Sequence, residues 1–257
     1  MTEWSQMKLM GVDVGFSKTN ETTGIACLDG DTLRVACAGT EWEDRKTRIL
    51  DGFRPTVIAL DGPLVPKDAE PPVHRSCEFV FVHAPFNKRC KPGLSHFGTG
   101  LELRRATATA CAQFSRFVDR GGQIVEAFPN AFLAVLLPEH RFPAPKLKRG
   151  RRFSWLYDKA LESGGLQSAF LNAELPDEVW QRLRADTNRE RRAALICLLT
   201  AAFAAKGTAA VIGEPTGGWF WLPPCSLWEP WANRGLLIAA EVIANKGHAR
   251  LDVCQKT

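Results

Sequence analysis

The first half of the chain sets short apolar runs between glycine-bounded turns, a pattern that predicts a sheet. Residues 7–15 (Met-Lys-Leu-Met-Gly-Val-Asp-Val-Gly) read as a buried strand ending in a tight turn. Residues 23–29 and 32–38 read as two further strands, with Asp29-Gly30-Asp31 between them as a hairpin signal. The polar segment 41–51 suits a short helix. Residues 56–61, apolar and β-branched, form a fourth strand stopped by Gly62-Pro63. Residues 63–100, rich in Pro, Gly, His and Arg, read as a long structured loop, the kind that in compact domains carries function. A helix is predicted over 101–119. A fifth strand, 122–127, follows Gly121-Gly122, and Pro129 opens a helix over 129–137. The second half is mostly helical in pattern, over 151–163, 177–184, 188–206 and 234–246. Val211-Ile212 begins a short extended stretch, and 217–224 contains Trp-Phe-Trp-Leu. No internal repeat or low-complexity linker divides the chain, so a single domain over 1–257 is expected.

Three antiparallel strands, a helix, a strand, a helix and a strand is the order of the ribonuclease-H-like α/β fold. It predicts a mixed five-stranded sheet, three antiparallel strands and then parallel ones, with flanking helices and helical elaborations. Actin-like ATPase and sugar-kinase domains share that order, and architecture alone does not choose among them.

Composition narrows the class without naming a function. The 257 residues suffice to bury a substantial core, and 45% hydrophobic with 24% charged residues is ordinary for a globular chain. No apolar run approaches the roughly 18–20 residues of a membrane span. The N-terminus lacks the cationic start, apolar core and small-residue cleavage site of a signal peptide, so no membrane partner and a cytoplasmic location are expected. None of the eight cysteines stands in a Cys-x-x-Cys pair, which argues for buried thiols. The net charge is 33 − 28 = +5, and its distribution carries more than its size. Lys146, Lys148, Arg149, Arg151 and Arg152 form one basic cluster; Arg182, Arg184, Arg189, Arg191 and Arg192 form another. Such clusters suit phosphate backbones, and equally a solvated loop and helix face.

The chemistry is concentrated in carboxylates at predicted strand ends. Asp13 stands in Gly11-Val12-Asp13-Val14-Gly15, at the end of a central strand, where α/β sheets place their ligands. Asp61 repeats the pattern before Gly62-Pro63, and Glu126 repeats it before Phe128-Pro129. With strands one, four and five side by side, the three acids would converge on one volume. Such crowding is costly unless a cation neutralises it. Mg²⁺ or Mn²⁺ prefers these oxygen ligands, and two ions would activate a water and stabilise a phosphodiester leaving oxygen. A fourth acid from a packed helix is expected at Glu190, with Asp186 just before it. Each acid alone has a turn-capping alternative.

These residues resemble the domain-of-unknown-function 429 family of ribonuclease-H-like nucleases. The resemblance is carried by Gly11–Gly15 with Thr23-Gly24, by Ile58–Pro63 followed by Arg75-Ser76-Cys77-Glu78, by Val125–Pro129, and by Ala194–Ala201 with the later Gly218–Pro223. It implies metal-dependent hydrolysis of nucleic-acid phosphodiesters with Asp13, Asp61 and Glu126 as the acidic core. It also implies that Arg75 and Glu78 line the site, with Glu78 or Glu190 as fourth acid. The chain departs from the family pattern before the Ala-Leu run, where Arg192 and Ala193 replace the usual Asp.

The loop adds further candidates. Lys88, Arg89 and Lys91 would bind phosphate beside Arg75, and His96 would shuttle a proton, although a lone His more often has a structural role. Cys77, His83, Cys90 and His96 are possible zinc ligands, but their spacings of 6, 7 and 6 fit no common pattern. Trp219, Trp221, Trp228 and Trp231 suit core packing or base stacking. Two rival readings stay open: a small ATP-dependent kinase, for which Asp13–Thr19 would be the phosphate hairpin, and a catalytically inactive nucleic-acid-binding module of the same fold. DNA and RNA are not distinguished, and neither is the oligomeric state.

Overall fold

A computed structural model of the chain describes residues 7–17, 19–65, 75–142, 151–245 and 252–255. It is an α/β structure built on one mixed sheet. The first five strands lie close to the predicted positions: β1 (Lys8–Asp13), β2 (Thr23–Asp29), β3 (Thr32–Ala38), β4 (Val57–Asp61) and β5 (Gln123–Ala127). β1 pairs antiparallel with β2 and β2 with β3, while β1, β4 and β5 run parallel.

The sheet is wider than the five strands expected. β6 (Ala210–Glu214), β7 (Gly218–Leu222) and β8 (Asp252–Gln255) extend it to eight in the order β3-β2-β1-β4-β5-β7-β6-β8. β6 and β7 form a hairpin across residues 215–217, and β7 lies parallel to β5. The extended stretches at 211–212 and 217–224 are thus sheet. Trp219 and Trp221 alternate with the buried Phe220 and Leu222, the period-two signature of a strand.

The helices include two that the pattern hides. α1 (Trp42–Thr47), α3 (Gly98–Phe114), α4 (Pro129–Val135) and α5 (Arg152–Glu162) were expected within a few residues. The segment 63–100 contains α2 (Ser76–Val82) and the start of α3, so it is less loop-like than its Pro and Gly content suggests. α6 (Gly165–Ala173) was not anticipated. α7 (Asp177–Ala185), α8 (Arg189–Lys206) and α9 (Pro230–Asn245) complete the set. Lys146, Lys148 and Arg149 lie outside the described residues.

α8 matters most for the site, because it lies across β1, β2 and β4. Twelve consecutive residues, Ala193–Ala204, are buried, so no polar stripe remains over this stretch. Two glycines let the helix sit directly on the strands. A Cβ at Gly11 would fall 2.2 Å from the Ala194 carbonyl oxygen and from the Leu198 nitrogen. A Cβ at Gly24 would fall 2.0 Å from the Glu190 carbonyl oxygen. On the opposite sheet face, Met10, Val12, Ile58 and Leu60 pack with Ala110 and Phe114 of α3. Burial of each such large side chain contributes roughly 1.5–3 kcal/mol.

Candidate functional site

Register brings two carboxylates together. Asp13 and Asp61 are direct partners on the adjacent parallel strands β1 and β4, so both project from the face that α8 covers. Both are half-buried. Neither accepts a hydrogen bond or ion pair from the described residues. Burial, then the Asp61 charge, pushes the Asp13 carboxyl well above its ordinary range, with Glu190 adding to the rise and Arg189 opposing it. Burial lifts Asp61 to about 7, against the pull of Arg189 and with the push of Glu126.

The N-terminus of α8 faces this pair. Glu190, in its first turn, is half-buried, and its carboxylate lies 3.5 Å from the Arg189 guanidinium. The seat at Gly24, which pairs with Asp13 in the sheet, fixes where Glu190 stands. A buried Asp186 holds the helix start. It accepts from the Asn188 backbone N–H at 2.9 Å and pairs with Arg182 and Arg191, each at 2.9 Å. Asn188 caps the helix by accepting from the Arg191 N–H at 2.9 Å. Arg192 donates to the Asp186 carbonyl, pairs with Asp158 at 2.9 Å and lies over the Tyr157 ring. The predicted basic cluster of α7 and α8 is therefore largely occupied in joining the two helices. Arg189 differs: it is half-exposed and faces the carboxylates. A basic run hides it in the sequence, because only the fold distinguishes it from its neighbours.

Glu126 stands one register step away from the pair. It is opposite Leu60, and Asp61 is opposite Ala127, so Glu126 projects from the other sheet face. The expected convergence of three strand-end acids reduces to two, with the third close enough only to act through space on Asp61. Its two oxygens are held by Arg75 at 2.7 and 2.8 Å, and the Leu64 N–H donates to it at 2.8 Å. Burial lifts this carboxyl above its ordinary value, and Arg75 works against that rise.

Arg75 is not free to meet a substrate phosphate. Its guanidinium is 1% exposed, pairs with Glu78 at 2.9 Å as well as with Glu126, donates to the Gly217 carbonyl and lies over the Phe220 ring. Glu78 is equally buried and turned to Arg75 and the Ser95 backbone. A bidentate buried pair of this kind ties the α2 entry to β5. Arg89 is also committed: it pairs with Glu139 at 2.9 Å and lies 4.0 Å over the Trp231 ring. Lys88 and Lys91 are exposed, and His96 is half-buried. Trp228 and Trp231 are buried and donate to backbone carbonyls, so they belong to the core.

A small crevice at the strand ends is bounded by Asp61, Gly62, Arg75, Ser95, Gly100 and Glu126. At about 60 Å³ it has room for an ion or a few waters and not for a base. Among the described residues no three His, Cys, Asp or Glu side chains are grouped as metal ligands, which applies to the zinc set as to the carboxylates. Comparison with protein-family models, with curated proteins and with solved structures finds no match.

The site can therefore offer two hard oxygen donors at strand ends, a third carboxylate on a facing helix, and one arginine turned toward them. That donor set fits a single Mg²⁺ or Mn²⁺ held by Asp13 and Asp61 better than the expected pair of ions.

Proposed function

We propose that this chain is a ribonuclease-H-like, divalent-metal-dependent nuclease whose centre is Asp13 and Asp61. The observation that carries this reading is the in-register pair of half-buried, unbonded carboxylates on adjacent parallel strands, beneath the N-terminus of α8. Two like charges held so close, with raised affinity for protons, are arranged for a cation. The strand order β3-β2-β1-β4-β5 agrees with the fold class, and the four short motifs that resemble the domain-of-unknown-function 429 family lie on elements that bound the site.

Asp13 and Asp61 would hold the ion, which supplies Lewis-acid stabilisation of a phosphodiester oxygen and a more acidic water. Glu190 faces the same space from the helix and is placed to take a proton. Arg189 is placed to meet a phosphate oxygen, and the partial positive charge at the helix N-terminus acts in the same sense. Glu126 and Arg75 act as supports, holding β5, residue 64 and the α2 entry around the crevice.

The test is cleavage of labelled single-stranded, duplex, hybrid and four-way-junction substrates in Mn²⁺ and in Mg²⁺, beside Asp13→Asn. Metal-dependent cleavage that disappears in the variant supports the assignment. Absence of cleavage by folded protein with either metal refutes it.

One observation favours a second reading. Glu126 is consumed by Arg75, and no three-acid group is gathered among the described residues, which suits an inactive nucleic-acid-binding module. Salt-dependent binding without cleavage at any metal concentration is its signature.

A further inference from the structure

The crevice beside Asp61 and Glu126 adjoins a larger surface along α3. Pro63 borders both the crevice and a groove of about 740 Å³, whose walls include Leu64, Leu101, Arg104 and Arg105. Ala108 and Ala112 border that groove and also a second one, of about 750 Å³, between α3 and α1. These alanines are one turn apart on the exposed side of α3, so the ridge between the two grooves is low. The second groove is walled by Lys46, Arg54 and Arg116 and by the half-buried rings of Trp42 and Phe117.

The charge lining the two grooves has one sign. Arg104, Arg105, Lys46, Arg54 and Arg116 line them and no Asp or Glu does, although Arg105 also pairs with Glu102 at 3.1 Å. Lys46 and Arg116 are exposed, and their side chains make no ion pair or hydrogen bond with the described residues. Arg54 lies over the Phe117 ring at 5.5 Å and donates to the Arg116 carbonyl. The α7–α8 arginines, in contrast, are mostly tied to Asp186 and Asp158.

We infer that this path binds a single-stranded polynucleotide running from the Asp61 crevice along α3 to the Trp42–Phe117 end. The inference rests on the nuclease reading for its direction and names the substrate of that site as an unpaired strand. Charge complementarity selects a phosphate backbone over an apolar peptide. The two rings select an unpaired strand over a duplex, because a duplex buries the base faces that stack on aromatics. The 17 residues of α3 span about 25 Å, room for several nucleotides.

The experiment is fluorescence anisotropy of a labelled 12-nucleotide strand in EDTA, so that binding is read without cleavage. Wild type, Lys46→Gln/Arg116→Gln and Asp13→Asn are titrated across salt, beside a duplex of the same sequence. The double variant changes only exposed side chains, and circular dichroism checks its fold. The expected results are single-strand binding tighter than duplex binding, at least tenfold weaker binding by the double variant, and a log–log salt slope reduced by about 1.4 for two lost phosphate contacts. Equal affinity for duplex, or an unchanged double variant, overturns the inference. The two readings separate cleanly. Variant-sensitive binding with no cleavage leaves the path standing and removes the nuclease, whereas cleavage that the double variant neither weakens in KM nor slows removes the path and leaves the nuclease.

Discussion

Asp61→Asn tests the electrostatics of the centre without requiring a substrate. The Asp61 carboxyl rises from an ordinary 3.8 to about 7 because burial and the neighbouring Glu126 disfavour its charge. That gap corresponds to roughly 4 kcal/mol of proton-linked free energy, and partial solvent access reduces it to about 2 kcal/mol. The sign follows from proton binding. Between 3.8 and about 7 the folded chain holds a proton on Asp61 that the unfolded chain has released. This contribution is fully present below 3.8 and lost as pH rises through about 7. Asparagine cannot ionise, so the variant should match wild type only below 3.8, pull ahead as pH rises from there, and exceed it near pH 8 by about 2 kcal/mol in metal-free urea unfolding. A variant that is less stable than wild type at pH 8, or a wild-type-minus-variant difference that does not change with pH, refutes the account of the pair.

Further outcomes follow from the same geometry. Mg²⁺ or Mn²⁺ at about 100 times its dissociation constant should raise wild-type stability at pH 8 by about 2.7 kcal/mol and should leave Asp13→Asn unchanged, as read by thermal shift. Glu126→Ala should destabilise by about 3–5 kcal/mol, because it leaves Arg75 buried without its main partner; a loss under 1 kcal/mol in urea unfolding would contradict the supporting role given to this pair. Gly24→Ala places a methyl against the Glu190 backbone and should lower the urea midpoint and any cleavage rate together, while Gly52→Ala, at an exposed turn with open space, should leave the rate unchanged. Asp186→Asn should cost about 3 kcal/mol by removing the charge shared by Arg182 and Arg191, and hydrogen exchange should show the first turn of α8 opening.

Much of the sheet was legible because strands β1 to β5 are buried runs ended by glycine or proline, and such punctuation is local. The β6–β7 hairpin was harder to read, since five-residue strands rich in tryptophan look the same whether they pack as sheet or as loop. α2 was hidden because Ser-Cys-Glu-Phe-Val-Phe-Val has β-forming residues, and its helical form depends on packing against β6, β7 and α9. Asp13 and Asp61 could be found because a lone acid ending an apolar run is conspicuous. The position of Glu126 could not, because one residue of register decides which sheet face it takes. Arg75 and Arg89 looked like phosphate ligands by charge alone, and only their burial against Glu126, Glu78 and Trp231 shows what they hold.

The glycine seats beneath α8 have a consequence for how this centre can vary. Helix and strands meet there backbone to backbone, with no side chain as a spacer, so the reach from the helix-borne acid to the strand-borne ones is fixed by chain geometry. Volume changes elsewhere on α8 would be taken up on its other side, where α4, α5, α6 and α7 pack through side chains that can adjust. The outer helical layer is therefore free to drift in size and shape, while Gly11 and Gly24 act as a gauge that keeps the interior spacing constant.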